Sequence, residues 1–144
     1  MSGPDAAALY QALVVDHGNA PRRAGPLPDA THQARLTNPL CGDRVTVRLK
    51  VAEGAVATLR FEARGCLLST ASASLLGEWV EGQPVARARE LAGLVHGLVA
   101  GEALPADLGV LEALRPVRGF PARLACVELP WKALAAALEA PVGP

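Results

Sequence analysis

From Arg44 to Val51 the chain alternates strictly, with Val45, Val47, Leu49 and Val51 apolar and Arg44, Thr46, Arg48 and Lys50 polar. A period of two predicts a strand with one buried face. Ala55–Ala63 repeats the pattern, Ala57, Leu59 and Phe61 against Thr58, Arg60 and Glu62, and Glu53-Gly54 offers a tight turn between the runs. The pair reads as a β-hairpin, and Ala34–Thr37 adds a weaker third strand. Elsewhere the period is helical. Asp5–His17 has Asp5 as N-cap and Leu9, Leu13, Val14 and His17 at helical spacing. Leu67–Val80 follows, then Pro84–Val99 with Val85, Ala88, Leu91, Val95 and Leu98 as its stripe, and a short helix around Asp107–Leu114. The last helix is expected over Glu128–Leu138, with Pro130 in its first turn, where a missing N–H costs nothing. Together these predict an α+β fold: a three-stranded antiparallel sheet with helices packed on one face, in a single domain spanning 1–144.

Half of the residues are hydrophobic, enough for a real core, and 14 Lys and Arg balance 14 Asp and Glu. That balance gives no electrostatic reason to expect nucleic acid or a membrane surface as partner. No apolar run approaches the roughly 20 residues that span a bilayer, and Met1–Leu9 lacks a signal-peptide pattern, so a cytoplasmic protein is expected. Three cysteines cannot all pair within one chain, and in a reducing compartment thiols more often serve metal or redox chemistry.

The hairpin says where two of them meet. Cys41 precedes the first long strand and Cys66 follows the second, and strands of nearly equal length bring their outer ends together. Asp43 is two residues from Cys41, and Cys126, placed just before the last helix, is positioned to close the set. Three thiolates and a carboxylate suit tetrahedral zinc, and thiolates also hold iron in clusters. Gly42 and Gly65 allow sharp turns beside these residues, and Cys66 opens a helix whose dipole favours a thiolate. Against this, a free Cys is often a small buried hydrophobe, and no CxxC pair is present. A plain structural zinc module is also open, although such sites usually take Cys and His alone.

Other residues have blander readings. His17 caps or packs at a helix end, His32 is a solvated loop residue, and His96 is peripheral. Arg123, three residues before Cys126, either offsets the negative charge of the site or is an ordinary surface residue. Trp79 and Trp131 belong to the core, and Arg22-Arg23 is a solvated basic pair. Ser69–Ser74 is unusually small, so something can approach that helix closely.

Asn38–Asp43 (NPLCGD), Gly65-Cys66 followed by Ser69-Thr70-Ala71-Ser72-Ala73-Ser74, and Cys126 together resemble the IscU/SufU family of iron–sulfur cluster assembly proteins. Leu9-Tyr10, Asp16-His17 and Asn19-Ala20-Pro21-Arg22 look like its N-terminal signature, with Ala20 interrupting the usual Asn-Pro. The resemblance runs from about residue 9 to residue 139. Cys66 and Cys126 stand 60 positions apart, and the region Gly101–Arg118 between them looks like the insertion of the SufU branch, as does Phe120-Pro121-Ala122-Arg123. Ala125 stands where IscU proteins have His and SufU proteins commonly have Lys. The resemblance implies a zinc site built from Cys41, Asp43, Cys66 and Cys126, with iron or a 2Fe–2S cluster as the other occupant. It implies a cysteine desulfurase as partner and Cys41 as the sulfur acceptor. On this reading Cys41 leaves zinc when the desulfurase supplies a replacement ligand, and the freed thiolate takes the persulfide. A scaffold that assembles a transient 2Fe–2S cluster for acceptor proteins is the IscU-type alternative.

Overall fold

A computed structural model describes residues 6–39, 42–100 and 121–142. Its elements are α1 (Ala6–Asn19), β1 (His32–Thr37), β2 (Arg44–Ala52), β3 (Ala55–Arg64), α2 (Leu67–Val80), α3 (Val85–Ala100) and α4 (Pro121–Leu138). Asp5 and Asp107–Leu114, expected as an N-cap and a short helix, lie outside the described residues.

The strands form an antiparallel meander in the order β1-β2-β3. Glu53 and Gly54 both take positive φ, 53° and 76°, the backbone of a two-residue hairpin turn whose twist matches its strands. The central strand buries Val45, Val47 and Leu49 completely. On β3 the alternation breaks once. The register shifts beside Lys50 and Val51, so Lys50 faces Thr58 and Val51 faces Val56. Ala57 is left without a partner and exposed, and Val56 is buried in the place expected of Ala57. A bulge adds one residue and flips the facing of what precedes it.

α2 packs on β3, and α4 packs on β1 and β2. They cover the face that carries Val47, Leu49, Leu59 and Phe61, and Trp131, Leu134 and Leu76 complete the core. Removing each of these aliphatic side chains from water contributes about 1.5–3 kcal/mol.

Both margins of the sheet are occupied. Along β3, Leu59 N–H donates to Glu81 Oε2 (2.9 Å), Phe61 N–H to the Arg23 carbonyl (3.1 Å), and Gly25 N–H to the Phe61 carbonyl (2.9 Å). Along β1, Val142 N–H donates to Thr31 O (2.7 Å) and Gln33 N–H to Ala140 O (3.3 Å). Arg22 and Arg23 are therefore not a solvated pair. Arg23 meets Glu81 at 3.0 Å and Arg22 meets Asp16 at 2.9 Å.

The last helix starts earlier than its proline suggests. Pro121 occupies its first position and Pro130 lies in its interior. A proline there lacks an N–H for the carbonyl four residues back, that of Cys126, at a cost of about 3 kcal/mol. Ser69 Oγ lies 3.3 Å from that carbonyl oxygen, and one residue on, Ser72 Oγ donates to Val127 O at 2.7 Å. Two hydroxyls of α2 thus face the interrupted turn, and Ser72 bonds the carbonyl beside the orphaned one. What approaches the small residues of α2 is the protein itself: α4 at Ser69 and Ser72, and His17 of α1 at Ser74.

Candidate metal centre

Three chain segments converge at one end of the sheet. Arg44 of β2 pairs with Arg64 of β3, so Asp43, one residue before Arg44, lies beside Gly65 and Cys66. Gly65 has φ 137°, and a Cβ there would overlap the Asp43 carboxyl group. Its missing side chain is the space that the carboxylate fills. Cys66 is the N-cap of α2, its sulfur accepting from Ser69 N–H at 3.4 Å. Cys126 arrives from α4, inside the helix and not ahead of it. The ligand atoms of Asp43, Cys66 and Cys126 all lie within 4.8 Å of one another. Cys41 lies outside the described residues, two positions before Asp43 in the β1–β2 loop. That loop is closed by Asn38 N–H to Asp43 O (2.7 Å) and Gly42 N–H to Asn38 O (2.8 Å). Gly42 takes φ 75°.

Asp43 is the hub of a small network. Its Oδ1 accepts from Cys66 N–H at 3.1 Å, and its Oδ2 accepts from Ser69 Oγ at 2.7 Å and from the Cys66 thiol at 3.2 Å. Burial raises its pKa, but the hydrogen bonds from Ser69, Cys66 and Cys126 and from the Cys66 amide outweigh burial and hold the carboxyl at about 2. It is a carboxylate at all ordinary pH and only 2% exposed. Burial, followed by hydrogen bonding to Asp43 and Cys66, pushes the Cys126 thiol well above its ordinary value. Cys66 is exposed and Cys126 buried, so the site opens to solvent on the Cys66 side.

This donor set fits a thiophilic divalent ion. Ligand atoms around tetrahedral zinc, with Zn–S about 2.3 Å, stand roughly 3.8 Å apart, and the Asp43 and Cys66 atoms are 3.2 Å apart with all three inside 4.8 Å. Two sulfurs and one carboxylate oxygen border a common space, and a divalent ion bound there would displace the thiol protons.

The histidines stay away from this cluster. His17 is buried, its Nδ1 2.7 Å from Ser74 Oγ, and burial and then the Arg22 charge lower its pKa. His32 opens β1 and is half-buried against Thr31 Oγ1 at 2.9 Å, so it is not a solvated loop residue. His96 pairs with Glu128 at 2.9 Å on the surface. Trp131 is core, 2% exposed. The Arg123 side chain lies outside the described residues. Sequence reasoning missed Ser69, the strongest partner of Asp43. Its place three residues after an N-cap was the available signal.

The model of the NifU-like N-terminal domain family matches residues 9–140. The chain belongs to that family. It is 36% identical over 128 residues to the zinc-dependent sulfurtransferase SufU of Bacillus subtilis, covering 88% of this chain and 86% of that one. It is 37% identical over 133 residues to the iron–sulfur cluster assembly scaffold protein IscU of Streptococcus pyogenes, covering 91% and 83%. The crystal structure of a nitrogen-fixing NifU-like protein, N-terminal part, from Brucella abortus superposes with a TM-score of 0.82 at 26% identity, over 91% of this chain and 92% of that one. Like that family, the chain carries a three-stranded antiparallel sheet with its helices on one side. No described helix is long and apolar enough to cross a membrane.

Proposed function

We propose that this chain is an iron–sulfur cluster biogenesis protein that binds zinc through Cys41, Asp43, Cys66 and Cys126 and receives sulfur on Cys41 from a cysteine desulfurase. The observation that carries the reading is the convergence of Asp43, Cys66 and Cys126 within 4.8 Å, in a chain 36% identical to a zinc-dependent sulfurtransferase. Bound zinc keeps the thiols deprotonated and masks their reactivity. The chain's own residues do the rest. Ser69 and the Cys66 amide fix the Asp43 carboxylate, the N-cap position of α2 places Cys66, and α4 holds Cys126. Cys41 belongs by sequence to the connection between β1 and β2, and loop residues change position at lower cost than residues held in helices or strands. Its thiolate attacks the outer sulfur of the donor's persulfide. That S–S bond breaks, the donor leaves as thiolate, and Cys41 carries the new persulfide, with no net oxidation.

The test has two parts. Protein purified without added metal is expected to hold about one zinc per chain, and mass spectrometry after incubation with desulfurase and cysteine is expected to place one added sulfur on Cys41. Cys41→Ala should hold no persulfide and leave the desulfurase unstimulated. Well under half an equivalent of metal, or a persulfide on Cys126 with Cys41→Ala still active, overturns the relay. The latter result favours cluster assembly on a scaffold, which the 37% identity to an IscU scaffold protein supports.

A further inference from the structure

The balanced total charge hides an uneven distribution. The outer face of the sheet, opposite the helices, carries Arg35, Arg44, Arg48, Lys50, Arg60 and Arg64. The three cations farther from the metal centre each have a carboxylate: Arg48 with Glu62 at 2.8 Å, Lys50 with Asp29 at 2.9 Å, and Arg60 with Glu81 at 3.1 Å. The three nearer it, Arg35, Arg44 and Arg64, are exposed and pair with no described carboxylate. Register makes this costly. Arg44 stands directly opposite Arg64, and Arg48 directly opposite Arg60, and like charges facing across strands destabilise a sheet. Between these side chains lies a groove of about 280 Å³, lined by Arg35, Arg44, Thr46, Arg48, Glu62 and Arg64.

The position of this patch decides what can cover it. Arg44 follows Asp43 immediately, and Arg64 is two residues before Cys66. A body that brings a reactive sulfur to the metal centre abuts this end of the sheet. The uncompensated charges are arginines, whose planar forks suit carboxylates and hold their charge at every working pH. Accepting that this protein takes sulfur from a donor enzyme, we propose that the arginine end of the sheet face is the docking surface for an acidic patch on that donor. The patch steers the donor to the exposed side of the site and relieves the Arg44–Arg64 opposition when it binds. The proposal concerns where the donor lands and adds nothing to the ligand set.

Arg44→Gln/Arg64→Gln tests it in the zinc-loaded protein, with the cysteine desulfurase encoded in the same genome as probe. The concentration of this protein giving half-maximal stimulation should rise roughly tenfold, the low end of electrostatic steering. The rate at saturation and the zinc content should not change. Rising salt should weaken binding of the parent strongly and of the variant little. Relief of the opposed charges should leave the variant at least as resistant to urea as the parent. Direct binding to a desulfurase whose nucleophilic Cys is replaced by Ser reads docking without sulfur transfer, so docking can be lost or kept whether or not Cys41 is the acceptor. An unchanged half-maximal concentration with unchanged salt dependence overturns the proposal. So does parent-specific binding of duplex DNA at this face with donor affinity unaltered.

Discussion

Ser72→Ala is the sharpest single test of how the centre is held. Ser72 Oγ is completely buried, donates to Val127 O at 2.7 Å and accepts from Trp131 Nε1–H at 3.1 Å. One hydroxyl therefore joins α2 to two points of α4, one of them the residue after Cys126. Alanine removes a single oxygen, so the cavity term is small, but it leaves a buried carbonyl and a buried indole N–H without this partner. At roughly 1–2 kcal/mol for each orphaned group the loss is about 3 kcal/mol, a large fraction of the 5–15 kcal/mol that stabilises a typical domain. Urea unfolding at equilibrium, followed by Trp fluorescence with metal chelated, measures it. Trp131→Phe should cost less in the Ser72→Ala background than in the parent, because the indole N–H then has no bond to lose. The same variant should bind zinc more weakly, since Cys66 and Cys126 sit on the two helices being uncoupled. A loss below about 1 kcal/mol, or strict additivity of the two substitutions, refutes the idea that this hydroxyl is the fastener.

Gly65→Ala should lower metal affinity by roughly 10–100-fold, as loss of an orienting contact does, because a Cβ there overlaps the Asp43 carboxyl group; metal competition against a chromogenic chelator reads it. The Asp43 carboxyl ionises at about 2 in the fold against 3.8 as its ordinary value, so in metal-free protein its contribution, about 2 kcal/mol, is complete above pH ~4 and disappears as pH falls through ~2. Acid titration of stability should show that loss in the parent and not in Asp43→Asn. Glu81→Gln should cost about 1 kcal/mol by removing the ion pairs to Arg23 and Arg60, and the difference from the parent should shrink in high salt.

The hairpin was legible because its evidence is local: alternation on each side of Glu53-Gly54 fixes two strands and so the meeting of their ends. Asp43 and Cys66 follow from that alone. Cys126 does not. It is 60 positions from Cys66, and its arrival depends on α4 running through Pro130, which the chain's own grammar marks as a helix start. Ser72, on another helix, ties down the carbonyl beside the interrupted one, a contact that the pattern within α4 does not show. Ala57 misled for a related reason, since a one-residue bulge leaves no compositional trace. The arginines were visible as polar positions, but their opposition across strands is a property of register, which pattern alone leaves open.

The covered margins of the sheet have a consequence for how this molecule meets others. A three-stranded sheet with bare edges invites another chain to add a strand, the common route to uncontrolled stacking. Here the Glu81 carboxylate and the backbone at Arg23–Gly25 occupy one flank, and Ala140–Val142 the other. Backbone pairing with a newcomer is therefore blocked while those segments stay in place, and recognition falls to side chains on the faces and at the loop end. Removing the residues after Leu138 would reopen the β1 flank. Such a truncation should announce itself as concentration-dependent self-association before it shows any loss of the core.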